Sequence, residues 1–380
     1  MRILYAAEAE TRSGSRPWYN NLYLPLLDLG HQVVVLDYPL DAHYAHANPA
    51  LPAHRAFIQA NRPCLEDALL RQAEIELRRQ PLDLFFSYFY SAFVRPEVIH
   101  EIRALGIVTV NWFCNGSYQF DLVQDIAPAY DFCLVPEKFR LQDYRNIGAN
   151  PIYCQEAANP NIYKPYPLSQ EFDVTFVGQK YGDRTVFTRH LLDAGINVRV
   201  WGPAWQARPT QPLLSSRLRK MATVDGWRSL ARRMRQVHRV GVPEEQPRVL
   251  PPEICGPPLT DEEMVKMYSR SKISLGFSSC GDTHRTNERI LQVRLRDFEA
   301  PMSGAFYMVE YMPELEEFFE IGNEIVCYHD PMDLVDRVRY YLSHENEREH
   351  IRQAGHQRAL RDHTWQKRLA NAFQGMGLPS

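Results

Sequence analysis

The sequence predicts an α/β protein made of two Rossmann-like domains facing across a cleft, and three observations carry that expectation. Short apolar runs alternate with helical stretches that end in glycine, the order that produces a parallel sheet with crossover helices. The alternation halts at an Asn- and Pro-rich stretch near 155–170 and then restarts. The chain has 380 residues, more than one compact core ordinarily holds.

Composition bounds the function classes. Hydrophobic residues make up 45% and charged residues 23% of the chain, both ordinary globular values. A formal net charge of −3 gives no global reason to expect a polyanionic partner. The seven cysteines are scattered, with no C-x-x-C pair, and read as reduced thiols. The opening Met1-Arg-Ile-Leu-Tyr-Ala-Ala7 is too short an apolar run for a secretory signal, and no stretch approaches about 18 apolar residues. A cytoplasmic placement is therefore expected.

Residues 1–160 form the first expected domain. Ile3 to Ala7 reads as a strand, Glu8 to Ser15 as a polar loop, Tyr19 to Leu29 as a helix stopped by Gly30, and Val33 to Leu36 as a second strand. The stretch 41–63, rich in His, Ala, Asn and Pro, has no clear period and reads as an irregular excursion. Leu65 to Arg79 is helical and Leu82 to Tyr88 a strand. Pro96 to Leu105 with Gly106 is a helix, Ile107 to Trp112 and Phe132 to Val135 are strands, and Lys138 to Arg145 with Gly148 closes the pattern. The stretch 154–167 reads as an extended linker.

The second domain is expected over 170–360. Phe172 to Val177 is a strand, Gly178 to Arg184 a glycine-containing turn, Thr185 to Ala194 a helix with Gly195, and Val198 to Trp201 a strand. An insert at 206–250 interrupts the alternation. It holds ten Lys and Arg residues against three acidic ones, a net +7, with apolar residues at helical spacing, so a basic helix pair is expected. Three readings stand for it: a solvated cover, a peripheral contact with the anionic inner face of a membrane, or a hold on an anionic acceptor. Nucleic acid is not an expected partner, because Trp227 is the only interleaved aromatic. Asp261 to Ser269 is a helix, Ile273 to Phe277 a strand, and Arg294 to Gly304 a charged helix start running into the strand 305–309. Helices over 331–342 and 347–360 follow, and a last helix within 361–380 can cross back to the first domain.

In open α/β sheets ligands sit beyond the carboxyl ends of the strands. Gly178-Gln-Lys180-Tyr-Gly182-Asp-Arg184, between a strand and a helix, offers backbone N–H groups and two cations to a phosphate, although an ordinary strand-to-helix turn would look the same. It is not a P-loop, and no G-x-G-x-x-G opens either domain. Glu299 lies one helical turn beyond Arg296, so the two share a face. Such a carboxylate can hold a ribose diol, and such arginines phosphates, while a surface ion pair is the plainer alternative. Trp201 at a strand end can stack on a base or sit at the core edge. His284 is the one histidine kept as a phosphate or sugar contact, and no histidine set has metal-ligand spacing.

Several stretches carry a resemblance. Arg296-Asp-Phe-Glu299 with Gly304, Glu314-Leu-Glu-Glu-Phe-Phe319, Gly322-Asn-Glu-Ile-Val326 and His363-Thr-Trp-Gln-Lys-Arg368 resemble the C-terminal domain of the CgeB-like (spore-maturation protein-like) GT-B glycosyltransferases. Val110-Asn-Trp-Phe113 and Ala157-Ala-Asn-Pro-Asn-Ile-Tyr163 extend the similarity to the first domain. The resemblance implies a transferase that binds a nucleotide-sugar through the second domain and an acceptor through the first. It implies that Glu299 holds the nucleotide ribose, with Gly178, Lys180, Arg184, Trp201, His284, Arg285, Arg294, Arg296 and Gly304 about the donor. Retaining relatives often carry a second glutamate eight positions earlier, where this chain has Leu291. No D-x-D stands at a strand end, so cations and helix N-termini rather than a metal or other cofactor are expected to meet the leaving diphosphate. For an inverting reaction Glu8 and Glu10 are the candidate bases; Asn115, where relatives carry an acid, cannot serve. The acceptor is left open among glycan, lipid-linked, protein and small-molecule hydroxyls. Two rival readings stand beside the transferase: a sugar-nucleotide or polysaccharide-binding protein without turnover, and a sugar-nucleotide epimerase.

Overall fold

Six strands of the first half pair only with one another: β1 (Arg2–Ala6), β2 (Gln32–Val35), β3 (Leu84–Ser87), β4 (Val108–Trp112), β5 (Phe132–Val135) and β6 (Pro151–Tyr153). They lie in the order β2-β1-β3-β4-β5-β6, with every neighbouring pair parallel. All residues of β1 and β3 are buried, as expected for strands covered on both faces by helices. The computed structural model describes residues 1–8, 16–206, 250–281, 283 and 289–379.

The second sheet comprises β7 (Phe172–Val177), β8 (Val198–Trp201), β9 (Cys255–Gly256), β10 (Ser271–Gly276), β11 (Tyr307–Glu310) and β12 (Val326–Tyr328). Its order is β12-β11-β10-β7-β8-β9, again parallel throughout. The chain runs from β7 outward to β9 and returns to place β10 on the other side of β7. The connections leaving β7 and β10 therefore diverge and open a crevice between them, the usual ligand position in a doubly wound sheet.

One expectation is corrected. The stretch 41–63 is largely helical, through Asp41–Ala45 and the first half of the long helix Pro52–Arg79. Pro63 lies inside that helix; its Ala-, Arg- and Gln-rich surroundings carry the helix through a residue that usually signals a break. The linker is also preceded by a strand, β6, which pairs with β5 through Leu134 and Ile152. The basic insert, apart from Gln206 and Leu250, lies outside the described residues. Among the described residues no helix is long and apolar enough to cross a membrane.

The helix Trp365–Gly375 puts Trp365, Leu369, Ala372 and Phe373 into the core of the first sheet. Trp365 meets Trp112 edge to face at 5.3 Å. Just before it the chain runs beside the linker: Ala158 N donates to His363 O at 3.0 Å and Trp365 N to Ala158 O at 3.2 Å. The two chain crossings are thus bonded to each other.

Candidate active site between the two sheets

β7 ends at Val177, and Gly178 makes the turn out of it. Its N–H donates to Trp201 O at 2.8 Å, and its carbonyl accepts from Trp205 Nε1 at 2.7 Å. A Cβ at Gly178 would stand 2.5 Å from the Phe176 ring, so only glycine lets the backbone lie this close. At the end of β10 a Cβ on Gly276 would lie 2.0 Å from the Tyr307 hydroxyl. Small residues at both strand ends keep the crevice open.

A cavity of about 250 Å³ fills it. Gly178, Gln179, Tyr181 and Arg184 line it from the β7 side, Gly276 and Phe277 from β10, and Arg294, Arg296 and Asp297 from the start of the helix Leu295–Met302. The first domain contributes Cys114, Asn115 and Glu156.

The second-domain wall is cationic. Arg184 is buried, its guanidinium 3.7 Å from the Tyr181 ring centroid, and it donates to Gln179 O at 2.7 Å and to the Tyr181 hydroxyl at 2.5 Å. Burial pushes this guanidinium down to about 10. Arg294 donates through Nη2 to Ser279 O at 2.5 Å. Asp297 is held by Arg294 N at 2.8 Å and by the Tyr307 hydroxyl at 2.7 Å; burial pushes its carboxyl up to about 6. The helix N-terminus, with its free N–H groups and partial positive charge, faces the same space.

Glu299 occupies a different position from the one the resemblance implies. It is 0% exposed and does not line the cavity. Its Oε1 accepts from Asn21 Nδ2 of the first domain at 3.1 Å, and its other oxygen is paired with Arg296. The helix carries Asp297 toward the cavity and Glu299, two residues on, toward the domain boundary, where Asn21 also meets the Tyr163 hydroxyl at 3.3 Å.

Three further residues expected about the donor stand outside the cavity lining. Trp201 packs edge to face on Phe172 at 5.3 Å and fills the slot left by Gly256, away from the cavity lining. Gly304 sits at φ +73° in the turn before β11, where a Cβ would meet Pro165 at 2.8 Å. It borders a separate cavity of about 130 Å³, so its role is backbone geometry. Lys180 donates its backbone N–H to Pro203 O at 3.0 Å, with Nζ 5.9 Å from the Trp205 ring centroid, and does not line the cavity. His284, Arg285 and Glu10 lie outside the described residues.

Glu8 also lies outside the cavity lining. Its Oε2 accepts from Trp18 N at 2.8 Å; burial nevertheless pushes its carboxyl up to about 7. Leu291 forms an antiparallel bridge with Ser279, and the neighbouring Gln292 is the one that reaches the site. Gln292 accepts from Ser117 Oγ at 2.6 Å and donates to Cys114 O at 3.3 Å, tying the two domains together. Sequence reasoning named the stretches that hold Tyr181 and Asp297 but missed Glu156 and Gln292 among the cavity-lining residues. Glu156 directly precedes the Ala-Ala-Asn-Pro stretch that was noticed, and that adjacency was its only signal.

Two facing parallel α/β sheets with a cavity at the switch point of the second define the GT-B class. A family model described as glycosyl transferase-like matches residues 184–374, and the chain belongs to that family. A search of curated proteins finds no significant sequence match. Among solved structures, sucrose-phosphate synthase from Thermosynechococcus elongatus is similar at a TM-score of 0.59 and 11% identity, over 99% of this chain and 98% of that one. HepE from Anabaena, solved in complex with UDP and glucose, is similar at 0.57 and 11%, over 99% of each chain. AviGT4, a glycosyltransferase involved in avilamycin A biosynthesis, is similar at 0.53 and 14%, over 98% and 96%. At these identities the likeness is one of fold.

Proposed function

We propose that the protein is a CgeB-like glycosyltransferase that moves a sugar from a nucleotide-sugar to an acceptor hydroxyl without a metal ion, the second domain holding the donor and the first the acceptor. The observation that carries this reading is the cavity at the β7/β10 switch point, where Arg184, Arg294 and the N-terminus of the helix Leu295–Met302 converge. Membership in the glycosyl transferase-like family and the UDP and glucose held by HepE support it.

In this reading the diphosphate lies against Arg294 and the helix N-terminus. Negative charge that grows on the leaving oxygen meets fixed dipoles and a guanidinium in a partly water-excluded site, which favours departure of the nucleoside diphosphate. Tyr181 fixes Arg184 by stacking, so the cation is preorganised. Glu299 takes the ribose hydroxyls only by exchanging its bond from Asn21, which makes nucleotide binding and the contact between domains compete for one carboxylate.

The reading is tested by calorimetric titration with UDP, GDP and dTDP, followed by incubation with the corresponding sugar nucleotides. Binding together with cleavage of one donor supports it. Binding without turnover favours the sugar-nucleotide-binding alternative, to which Leu291 at the place of the retaining relatives' glutamate lends weight.

A further inference from the structure

The first domain lines the cavity with three residues, and two of them are already engaged. Asn115 Nδ2 donates to the Tyr88 hydroxyl at 3.0 Å, and its Oδ1 accepts from Tyr118 at 3.3 Å. The Cys114 carbonyl takes Gln292 Nε2 at 3.3 Å, and its thiol lies 3.7 Å from the Tyr88 hydroxyl. Glu156 differs. It is 6% exposed and lines the cavity, yet among the described residues no hydrogen bond reaches its carboxylate. Its backbone is fixed, because its N–H donates to Gln155 Oε1 at 2.8 Å, and Gln155 is itself tied to Pro136 O at 3.2 Å and to Glu314 at 3.3 Å.

A buried carboxylate without partners is costly unless something it binds completes it. We propose that Glu156 is the catalytic residue that takes the proton of the acceptor hydroxyl during sugar transfer. This rests on the transferase reading. The acceptor oxygen forms a bond to the anomeric carbon of the donor sugar, and the bond from that carbon to the diphosphate oxygen breaks. The electron pair leaves with the nucleoside diphosphate toward Arg294, and the hydroxyl proton passes to Glu156. No oxidant, reductant or metal is needed for the balance.

Of the charged and titratable groups near Glu156, Arg294, Asp297 and Cys114 share the cavity lining with it, and the carboxylates of Glu137 and Glu299 act on it from outside that lining. Burial first, and Glu137 next, push the Glu156 carboxyl well above the usual range, while Arg294 opposes them. A carboxylate raised in this way is a stronger base than a solvated one. Glu8, by contrast, accepts a backbone N–H and stands outside the cavity walls.

The test uses the full chain, calorimetric binding of UDP, GDP and dTDP, and release of nucleoside diphosphate from UDP-, GDP- and dTDP-sugars with water as acceptor. Glu156→Gln is expected to bind the nucleotide within about threefold of the parent and to release it on the order of 100-fold more slowly. The acid limb of the pH–rate profile is expected to vanish in that variant, and Glu156→Ala is expected to recover turnover with added azide or formate. Normal turnover by a nucleotide-binding Glu156→Gln overturns the assignment and leaves the transferase reading standing. So does a loss of both binding and thermal stability, which would mark a structural residue. A parent that binds no nucleotide, or cleaves no donor, overturns the transferase reading and this assignment with it.

Discussion

The two walls of the cleft are chemically opposite although the sheets behind them are alike. Both sheets are six-stranded and parallel, with inner strands such as β1, β3 and β11 wholly buried. The second presents glycines, Arg184, Arg294 and a helix N-terminus; the first presents Cys114, Asn115 and Glu156. Equivalent folds thus carry a cationic wall and a wall with a buried carboxylate, and the difference resides in a handful of residues at strand ends. The same contrast appears inside the second domain. Cations that line the cavity are fixed by stacking, by a carbonyl or, for Arg296, by the Glu299 carboxylate, whereas Lys180, on the same turn as Arg184, is not among them.

Removing the central cation breaks this comparison most severely. Arg294→Ala is expected to weaken UDP binding on the order of 100-fold, as loss of a charge-assisted hydrogen bond implies. Arg294→Lys restores part of it, because a point charge replaces a planar fork. Calorimetric titration reads both.

The next effect is one of pH. Burial pushes the Glu137 carboxyl up to about 7 from 4.5. The native state therefore holds its proton where the unfolded chain has released it, so stability tied to Glu137 is full below about pH 4.5 and declines as pH rises toward 7. The decline amounts to roughly 3 kcal/mol. His363, pushed down to about 4 by burial, acts in the opposite sense between pH 6.5 and 4, which calls for a difference measurement. Denaturant melts of the parent and Glu137→Gln across pH 4.5 to 8 are expected to converge at low pH and to separate in favour of the variant at high pH.

Gly276→Ala sets a Cβ 2.0 Å from the Tyr307 hydroxyl, which is buried and donates to Asp297. Overpacking of this kind is expected to cost about 2 kcal/mol, read as a lowered denaturation midpoint, with weaker UDP binding through the displaced Asp297. A smaller effect of opposite sign is expected from Asn21→Ala. With Glu299 released from the domain contact, UDP should bind a few-fold more tightly; unchanged affinity would mean that Glu299 stays with Arg296 and never meets the ribose. Smallest of all, Lys180→Ala is expected to leave UDP affinity within about twofold, since this side chain is outside the cavity lining.

The fold was readable because parallel strands covered on both faces appear as short, mostly apolar runs, and Phe132 to Val135 could hardly be anything else. The long helix Pro52–Arg79 was hidden in its first half by Pro63 and by a polar sequence with no clean periodicity. That Gly178 and Arg184 line the cavity follows from their place just beyond the carboxyl end of β7. Trp201 also stands at a strand's carboxyl end but fills a slot left by Gly256, whereas Gly304, named from the resemblance, stands before β11 and lies against Pro165. Glu156 was illegible for a further reason. What singles it out is that, among the described residues, no hydrogen bond reaches its carboxylate in a cavity lined by both domains, and no local pattern encodes such a lack.

The most direct test is a thermal-shift titration of the full chain with UDP, GDP and dTDP, run beside Arg294→Ala and Lys180→Ala. A ligand at about 100 times its dissociation constant adds ~2.7 kcal/mol to folding stability, a readily measured rise in melting temperature. The transferase reading predicts that one nucleotide stabilises the parent and Lys180→Ala alike, and Arg294→Ala little or not at all. Stabilisation by none of the three, or equal stabilisation of Arg294→Ala, would contradict it.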